Sequence, residues 1–225
     1  MTKENHNRGI FLKNRKNGLQ KALEELLCLT KTAFRAIMCK MKVRRAKMNF
    51  YIADMHIAHE NVIRHDGRPF ENADVMCEEL IRRWNDAVSP NDCVYILGDF
   101  AWKNAAGLQA LIQLNGRKFL VLGNHDKPNE EMKAHFEWIK DYAVIDDCGT
   151  KVVLCHYPIA HWYDQYRGAV HLYGHIHNTK DHTAFEKYRE ICRELEIPFE
   201  CYNVGCMMPY MDYTPRTLAG IRNNI

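Results

Sequence analysis

Apolar positions first become periodic at Gly18. From there to about Met41, Leu19, Leu23, Leu26, Leu27, Phe34, Ile37, Met38 and Met41 recur at steps of three and four, with Lys, Arg and Glu between them. That spacing predicts an amphipathic helix, which ends in a cationic run of Lys40, Lys42, Arg44, Arg45 and Lys47. Residues 1–17 are polar and basic with no period, and no element is expected there. The texture changes at Met48–Ala53, which reads as a buried strand. Strands and helices then alternate. Asn72 can cap a helix running to about Ala87, with Val75, Met76, Leu80, Ile81 and Trp84 on one face. Cys93–Leu97 is a strand, Ala105–Leu114 a helix stopped by Asn115-Gly116, Lys118–Leu122 a strand, and Glu130–Ile139 a short helix. Tyr142–Ile145 and Lys151–Cys155 are strands separated by Cys148-Gly149, and Val170–Tyr173 is another. A helix over His182–Leu195, ended by Pro198, leads to a last strand, Phe199–Val204. Strands spaced by helices of this length imply α/β layering.

Composition adds bounds. The 225 residues, 47% hydrophobic and 26% charged, suit one main soluble domain. No apolar run approaches the roughly 18–20 residues of a membrane span, and no secretory signal pattern opens the chain. Nine cysteines, at 28, 39, 77, 93, 148, 155, 192, 201 and 206, form no CxxC and no regular spacing, as expected of free thiols in a reducing cytoplasm. Charge is split unevenly. Residues 1–47 hold 13 Lys and Arg against 3 acidic residues, whereas the rest of the chain holds 18 against 25. The split predicts a basic, partly helical extension over 1–47 and a catalytic domain over 48–225. The extension has three readings: an arm for anionic membrane surfaces or nucleic acid, a segment docked on the acidic body, or sequence upstream of a natural start at Met48. An acidic body does not favour nucleic acid as the main partner.

The chemistry lies at the strand ends. Asp54-Met55-His56 follows the first strand, Gly98-Asp99 the second, Gly123-Asn124-His125-Asp126 the third, His156 the strand ending at Cys155, and Gly174-His175-Ile176-His177 the strand ending at Tyr173. Sites in α/β sheets are built at the carboxyl ends of strands, so five separate stretches can converge there. Carboxylate, imidazole and amide oxygen suit intermediate-to-hard cations, and no Cys is required. A single hydrolytic zinc takes about three protein ligands. Here at least seven candidates suggest two ions, which can sit about 3.5–4 Å apart and clamp a phosphoryl group. On an extended chain, the two-residue step in Asp54-x-His56 and His175-x-His177 aims both side chains to the same side. Glycines at 98, 123 and 174 permit close backbone approach.

The ordered set D-x-H, G-D, G-N-H-D, H, G-H-x-H, spanning about Met48 to Gly205, resembles the calcineurin-like metallophosphoesterase superfamily. The resemblance implies a four-layer α-β-β-α sandwich of two mixed β-sheets flanked by helices. It implies two metal ions, commonly manganese, with iron or zinc as alternatives. One ion would be held by Asp54, His56, Asp99 and His177, the other by Asp99, Asn124, His156 and His175, with Asp99 bridging. His125 would donate to a phosphate oxygen or protonate the leaving group, with Asp126 orienting its ring, and a metal-bridging hydroxide would attack. The implied activity is hydrolysis of a phosphomonoester or phosphodiester, on a small or nucleotide-like substrate.

Residues outside the blocks are open to two readings. His59 either lies near the substrate phosphate or is a surface histidine. Arg64 and Arg68 can grip a phosphate bidentately or be structural. His171 reads as packing rather than ligand, and His65 and His135 as surface residues. Trp162, Tyr163 and Tyr166 either line a pocket for a ring or anchor a loop. The rival function is a nucleic-acid-associated processing or binding module anchored by the basic arm. A member of the fold without catalysis and a protein phosphatase are further, less favoured, alternatives.

Overall fold

The computed structural model describes residues 46–224. The helix expected over Gly18–Met41, and nearly all of the basic extension 1–47, lie outside those residues.

Two four-stranded sheets carry the described chain. The first contains β1 (Asn49–Ile52), β2 (Cys93–Leu97), β3 (Arg117–Val121) and β4 (Phe136–Lys140), paired in that order. Every neighbouring pair is parallel, so this sheet is not mixed, contrary to expectation. Its three leading strands are buried along almost their full length, which is why they read as apolar runs without alternation. The second sheet is mixed. Strands β5 (Tyr142–Asp147) and β6 (Thr150–Cys155) form an antiparallel hairpin, and β7 (Val170–Tyr173) and β8 (Cys201–Asn203) continue in parallel. Cys148 and Gly149, at φ 55° and 86°, make the tight turn of that hairpin.

Alternation appears in the second sheet because its two faces have different neighbours. Val152, Leu154, Val170 and Leu172 join the large core of Phe50, Ile52, Val94 and Ile96 from the first sheet. Val153, Tyr173 and Cys201 point the other way, into a smaller core with Trp162, Phe185 and Phe199.

The described helices are α1 (Glu60–Asp66), α2 (Ala73–Ala87), α3 (Asn104–Gln113), α4 (Glu130–Lys133), α5 (Lys180–Glu194) and α6 (Leu218–Arg222). As expected, the Asn72 side chain caps α2, accepting from the N–H groups of Asp74 and Val75. Met76, Leu80 and Trp84 face the core from α2, but Val75 is exposed. The helix expected over Glu130–Ile139 is one turn only. After Lys133 the chain extends into β4, where Trp138 packs on Tyr95 and Phe119. Apolar steps of three and four around Met132 resemble a helix, yet pairing with β3 and aromatic packing override that local pattern. Helices α1 and α6 lack a period long enough to read from sequence. No helix among the described residues is long and apolar enough to cross a membrane.

Candidate metal centre

The strand-end blocks converge. Among the described residues, ligand atoms of Asp54, His56 and His177 lie within 4.8 Å of one another, and so do those of Asp99, His156 and His175. Asp99 stands between the groups, with Oδ2 3.7 Å from His56 Nε2 and 3.5 Å from His156 Nε2. Asn124 joins the second group, its Oδ1 3.2 Å from His156 Nε2.

The backbone reaches this arrangement by a route the sequence did not indicate. Asp54 and His56 sit at φ 55° and 51°, and His175 and His177 at φ 70° and 44°. Each pair alternates left-handed residues around a buried neighbour, Met55 or Ile176, and is not an extended two-residue step. Asp99 is also left-handed, at φ 52°. Such conformations cost roughly 1–3 kcal/mol each and persist where surroundings over-determine them, typically at functional sites. Bonds that hold the loops include Asp54 N–H to Gly98 O at 3.0 Å, His56 N–H to Asp99 O at 2.9 Å and Cys206 N–H to Ala53 O at 2.9 Å. The Asp54 carboxylate accepts from the His175 N–H, tying the first block to the last.

Two glycines are required by close approach. A Cβ on Gly98 would collide with the His156 ring, and one on Gly123 would collide with Asp99 Oδ1 and meet Asp99 N at 2.5 Å. Without these bare positions neither ligand could occupy its present place.

Hydrogen bonds leave lone pairs facing inward. His156 Nδ1 is 2.8 Å from Leu97 O, which assigns the proton to Nδ1 and turns Nε2 toward Asp99. His177 Nδ1 is 2.7 Å from Asp66 Oδ1, leaving Nε2 to face Asp54 Oδ1 at 3.6 Å and His56 Nε2 at 3.3 Å. His56 Nδ1 is buried without a partner among the described residues. Burial pushes the His56 pKa down to about 3, with Asp54 and Asp99 opposing, so the ring is neutral. Burial also works against charge on His177, but bonds to Asp54 and Asp66 prevail and raise it to about 9. Burial disfavours ionised Asp99, yet His156, the His125 N–H and His56 outweigh it and hold the carboxyl at about 2. Carboxylate and amide oxygens and imidazole nitrogens that converge in this way favour a positive charge among them, supplied here by the proton on His177, whose place a cation would take. The donor set fits two transition or divalent cations, one for each group.

The remaining expected residues take varied places. His125 is exposed; its N–H donates to Asp99 Oδ1 at 2.9 Å, and its ring lies 5.7 Å from that of His56. Asp126 does not take the partner expected of it. Its oxygens accept from the N–H groups of Asp99, Phe100 and Gly123 at 2.7, 3.0 and 2.9 Å, so the carboxylate braces the Asp99 loop instead of the His125 ring. His59 caps α1, with Nδ1 accepting from Val62 N–H at 3.3 Å. Arg68 is buried and donates to the carbonyls of Asp54 and Met55 and to Asp66, a structural place behind the ligand loop. His171 is buried between Val153 O and the Ile159 N–H. Trp162 is buried and anchors its loop through Nε1–H to Ala169 O, whereas Tyr163 and Tyr166 are exposed. Sequence reasoning missed Asp66, the carboxylate that orients His177, because nothing in its local pattern marked α1.

Fold and site define a two-sheet α/β protein with two adjoining groups of Asp and His side chains, each able to hold a metal ion, at its strand ends. The chain belongs to the family of the uncharacterized protein MJ1445 of Methanocaldococcus jannaschii, to which it is 35% identical over 131 residues, 57% of this chain and 68% of that one. The Gene 66 protein of Mycobacterium phage L5 is 30% identical over 57% of this chain and 77% of its own length. A crystal structure of a protein of unknown function, AQ665 from Aquifex aeolicus, superposes with a TM-score of 0.61 at 29% identity, covering 80% of this chain and all of that one. The phosphoesterase Yfce of E. coli superposes at a TM-score of only 0.31 and 16% identity, over 56% of this chain and 68% of its own, a likeness too low to bear on function. No protein-family model matches the chain.

Proposed function

We propose that this protein hydrolyses a phosphate ester at a pair of metal ions, one held by Asp54, His56, Asp99 and His177 and the other by Asp99, Asn124, His156 and His175. The observation that carries this reading is the position of Asp99 between the two groups, with one carboxylate oxygen within 3.7 Å of an imidazole nitrogen from each. A shared carboxylate is what an adjoining pair of cations requires. When bound, such a pair supplies Lewis-acid polarisation of phosphoryl oxygens and an activated water.

The chain's own groups do the rest. Asp99 is held ionised, so it can bridge. His156 and His177 present Nε2 because Leu97 O and Asp66 take Nδ1. Asp126 fixes the Asp99 backbone through Asp99 N–H and Phe100 N–H. His125 stands exposed at the edge of the centre, its main chain tied to Asp99, and is placed to donate a proton to a phosphate oxygen or to the departing oxygen.

The test is hydrolysis of an aryl phosphate in manganese by purified wild type, Asp99→Asn and His156→Ala, with circular dichroism confirming that each is folded. Both variants should lose hydrolysis by at least about a hundredfold, the scale of losing a ligand to the reacting centre. Wild-type-like rates in both would refute the assignment.

A further inference from the structure

Two large rings are exposed beside the metal centre, and neither was among the aromatic residues expected to line a pocket. Trp102 lies three residues after Asp99. Its indole centroid is 4.1 Å from the His59 ring and 5.1 Å from the His125 ring, yet the residue remains 48% exposed. Tyr157 follows His156 and lies 5.0 Å from that ring and 4.6 Å from His175, at 43% exposure. Trp102 is not a loose surface side chain. Its backbone N–H donates to Ile57 O at 2.9 Å, Ile57 N–H donates to Phe100 O at 2.9 Å, and Ile57 pairs with Ala101 in a parallel bridge. The main chain that carries the indole is thus fixed to the two loops that carry His56 and Asp99, and the ring itself packs on His59 and His125.

An indole on a fixed main chain, half open and in contact with the imidazole proposed to protonate the departing oxygen, is a platform for a second ring. A flat π-face open to solvent beside a reacting centre is covered best by another ring. We infer that Trp102 is a specificity residue that stacks a planar group, a nucleobase or an aryl ring, on the leaving side of the phosphate ester. The substrate class is accordingly a nucleotide-like or aryl ester and not an alkyl or sugar ester. This inference rests on the phosphoesterase reading for the location of the phosphate, but the ring platform can be measured separately. Tyr157, on the other group of ligands, serves as the comparison.

The experiment measures binding of AMP and of ribose 5-phosphate to the manganese-loaded protein by calorimetry, for wild type, Trp102→Ala, Trp102→Phe and Tyr157→Ala, alongside hydrolysis of an aryl phosphate. The two ligands share phosphate and ribose and differ in the base. Wild type should prefer AMP by about tenfold or more, the lower range for a base stacked on an aromatic ring. Trp102→Ala should abolish that preference while leaving ribose 5-phosphate affinity within about twofold, and Trp102→Phe should restore most of it. Tyr157→Ala should retain it. No preference in the wild type, absence of AMP binding, or a preference that survives Trp102→Ala would overturn the inference. If aryl phosphate is hydrolysed but the AMP preference is missing, the platform alone is wrong; if the preference is present but no ester is cleaved, the platform stands and the phosphoesterase reading fails.

Discussion

His177 Nδ1 and Asp66 Oδ1 lie 2.7 Å apart although 111 positions separate the two residues in sequence. The bond reaches from α1 to the loop after β7 and fixes both the tautomer and the direction of the His177 ring. Carboxylates behind a ligating imidazole raise its basicity and typically contribute 10–100-fold to metal affinity. Asp66→Asn should therefore weaken one of two manganese sites by about that factor and leave the other, built on His156 and His175, nearly unchanged. Calorimetric or paramagnetic titration resolving two sites checks this. Equal weakening of both, or of neither, would contradict the assignment of Asp66 to the His177 side of the centre.

Gly123 offers a second test of how the centre is assembled. A methyl group there meets both the backbone N and a carboxylate oxygen of Asp99, and a backbone atom cannot swing away as a flexible side chain would. Gly123→Ala should cost about 1–3 kcal/mol of stability, as overpacking does, and displace the bridging carboxylate. The expected signature is a modest fall in the urea midpoint with a much larger fall in manganese affinity. Gly149, which has open space around the added carbon but lies at φ 86°, should lose stability on substitution without touching metal binding.

Arg68 separates a structural role from a phosphate-binding one. Its guanidinium donates to Asp54 O at 2.9 Å, to Met55 O at 3.1 Å and to Asp66 Oδ2 at 2.9 Å, all in a buried setting. Arg68→Met would remove a buried guanidinium from the Asp66 carboxylate and from two carbonyls, a loss of about 3–5 kcal/mol. Arg68→Lys should recover little of it, because a point charge cannot serve three acceptors in the guanidinium plane. Chemical denaturation of the metal-free protein reads this directly. A variant with unchanged stability but weakened phosphate binding would place Arg68 at the substrate instead.

Legibility differed by level. Strands β2 and β3 were readable because β2 is an uninterrupted apolar run and β3 becomes one from Phe119 onward, and because ligand-rich blocks follow them at once. The convergence of Asp54, His56, Asp99, His156, His175 and His177 followed from strand-end placement. What stayed hidden depends on tertiary contacts. The left-handed turns at Asp54 and His56 leave no propensity signal, since Asp and His tolerate that region without demanding it. Asp126 looked like a partner for the adjacent His125, but the donor nearest to its carboxylate in sequence is not the one nearest in space. Strand β4 was hidden because Met132, Phe136 and Ile139 fit a helical step, and only pairing with β3 shows otherwise.

His171 provides a pH prediction away from the metal ligands. It is buried between Val153 O and Ile159 N–H, and burial pushes its pKa down to about 4 from the ordinary 6.5, with its backbone hydrogen bonds opposing. The folded state therefore binds a proton less readily than the unfolded chain. Its stabilising contribution is complete above about pH 6.5 and is lost as pH falls toward 4. Between pH 7.5 and 4.5 the loss should be about 2–3 kcal/mol, each pKa unit being worth about 1.4 kcal/mol. Other depressed histidines, including His56, add to the acid sensitivity of the wild type, so the measured quantity is a difference. His171→Gln should be less stable than wild type at pH 7.5, because it disturbs a buried site, yet should lose about 2–3 kcal/mol less on acidification. Urea denaturation of both chelator-treated proteins at the two pH values decides it. Parallel loss in wild type and variant would show that His171 is not the titrating group and that its ring accepts a proton within the fold.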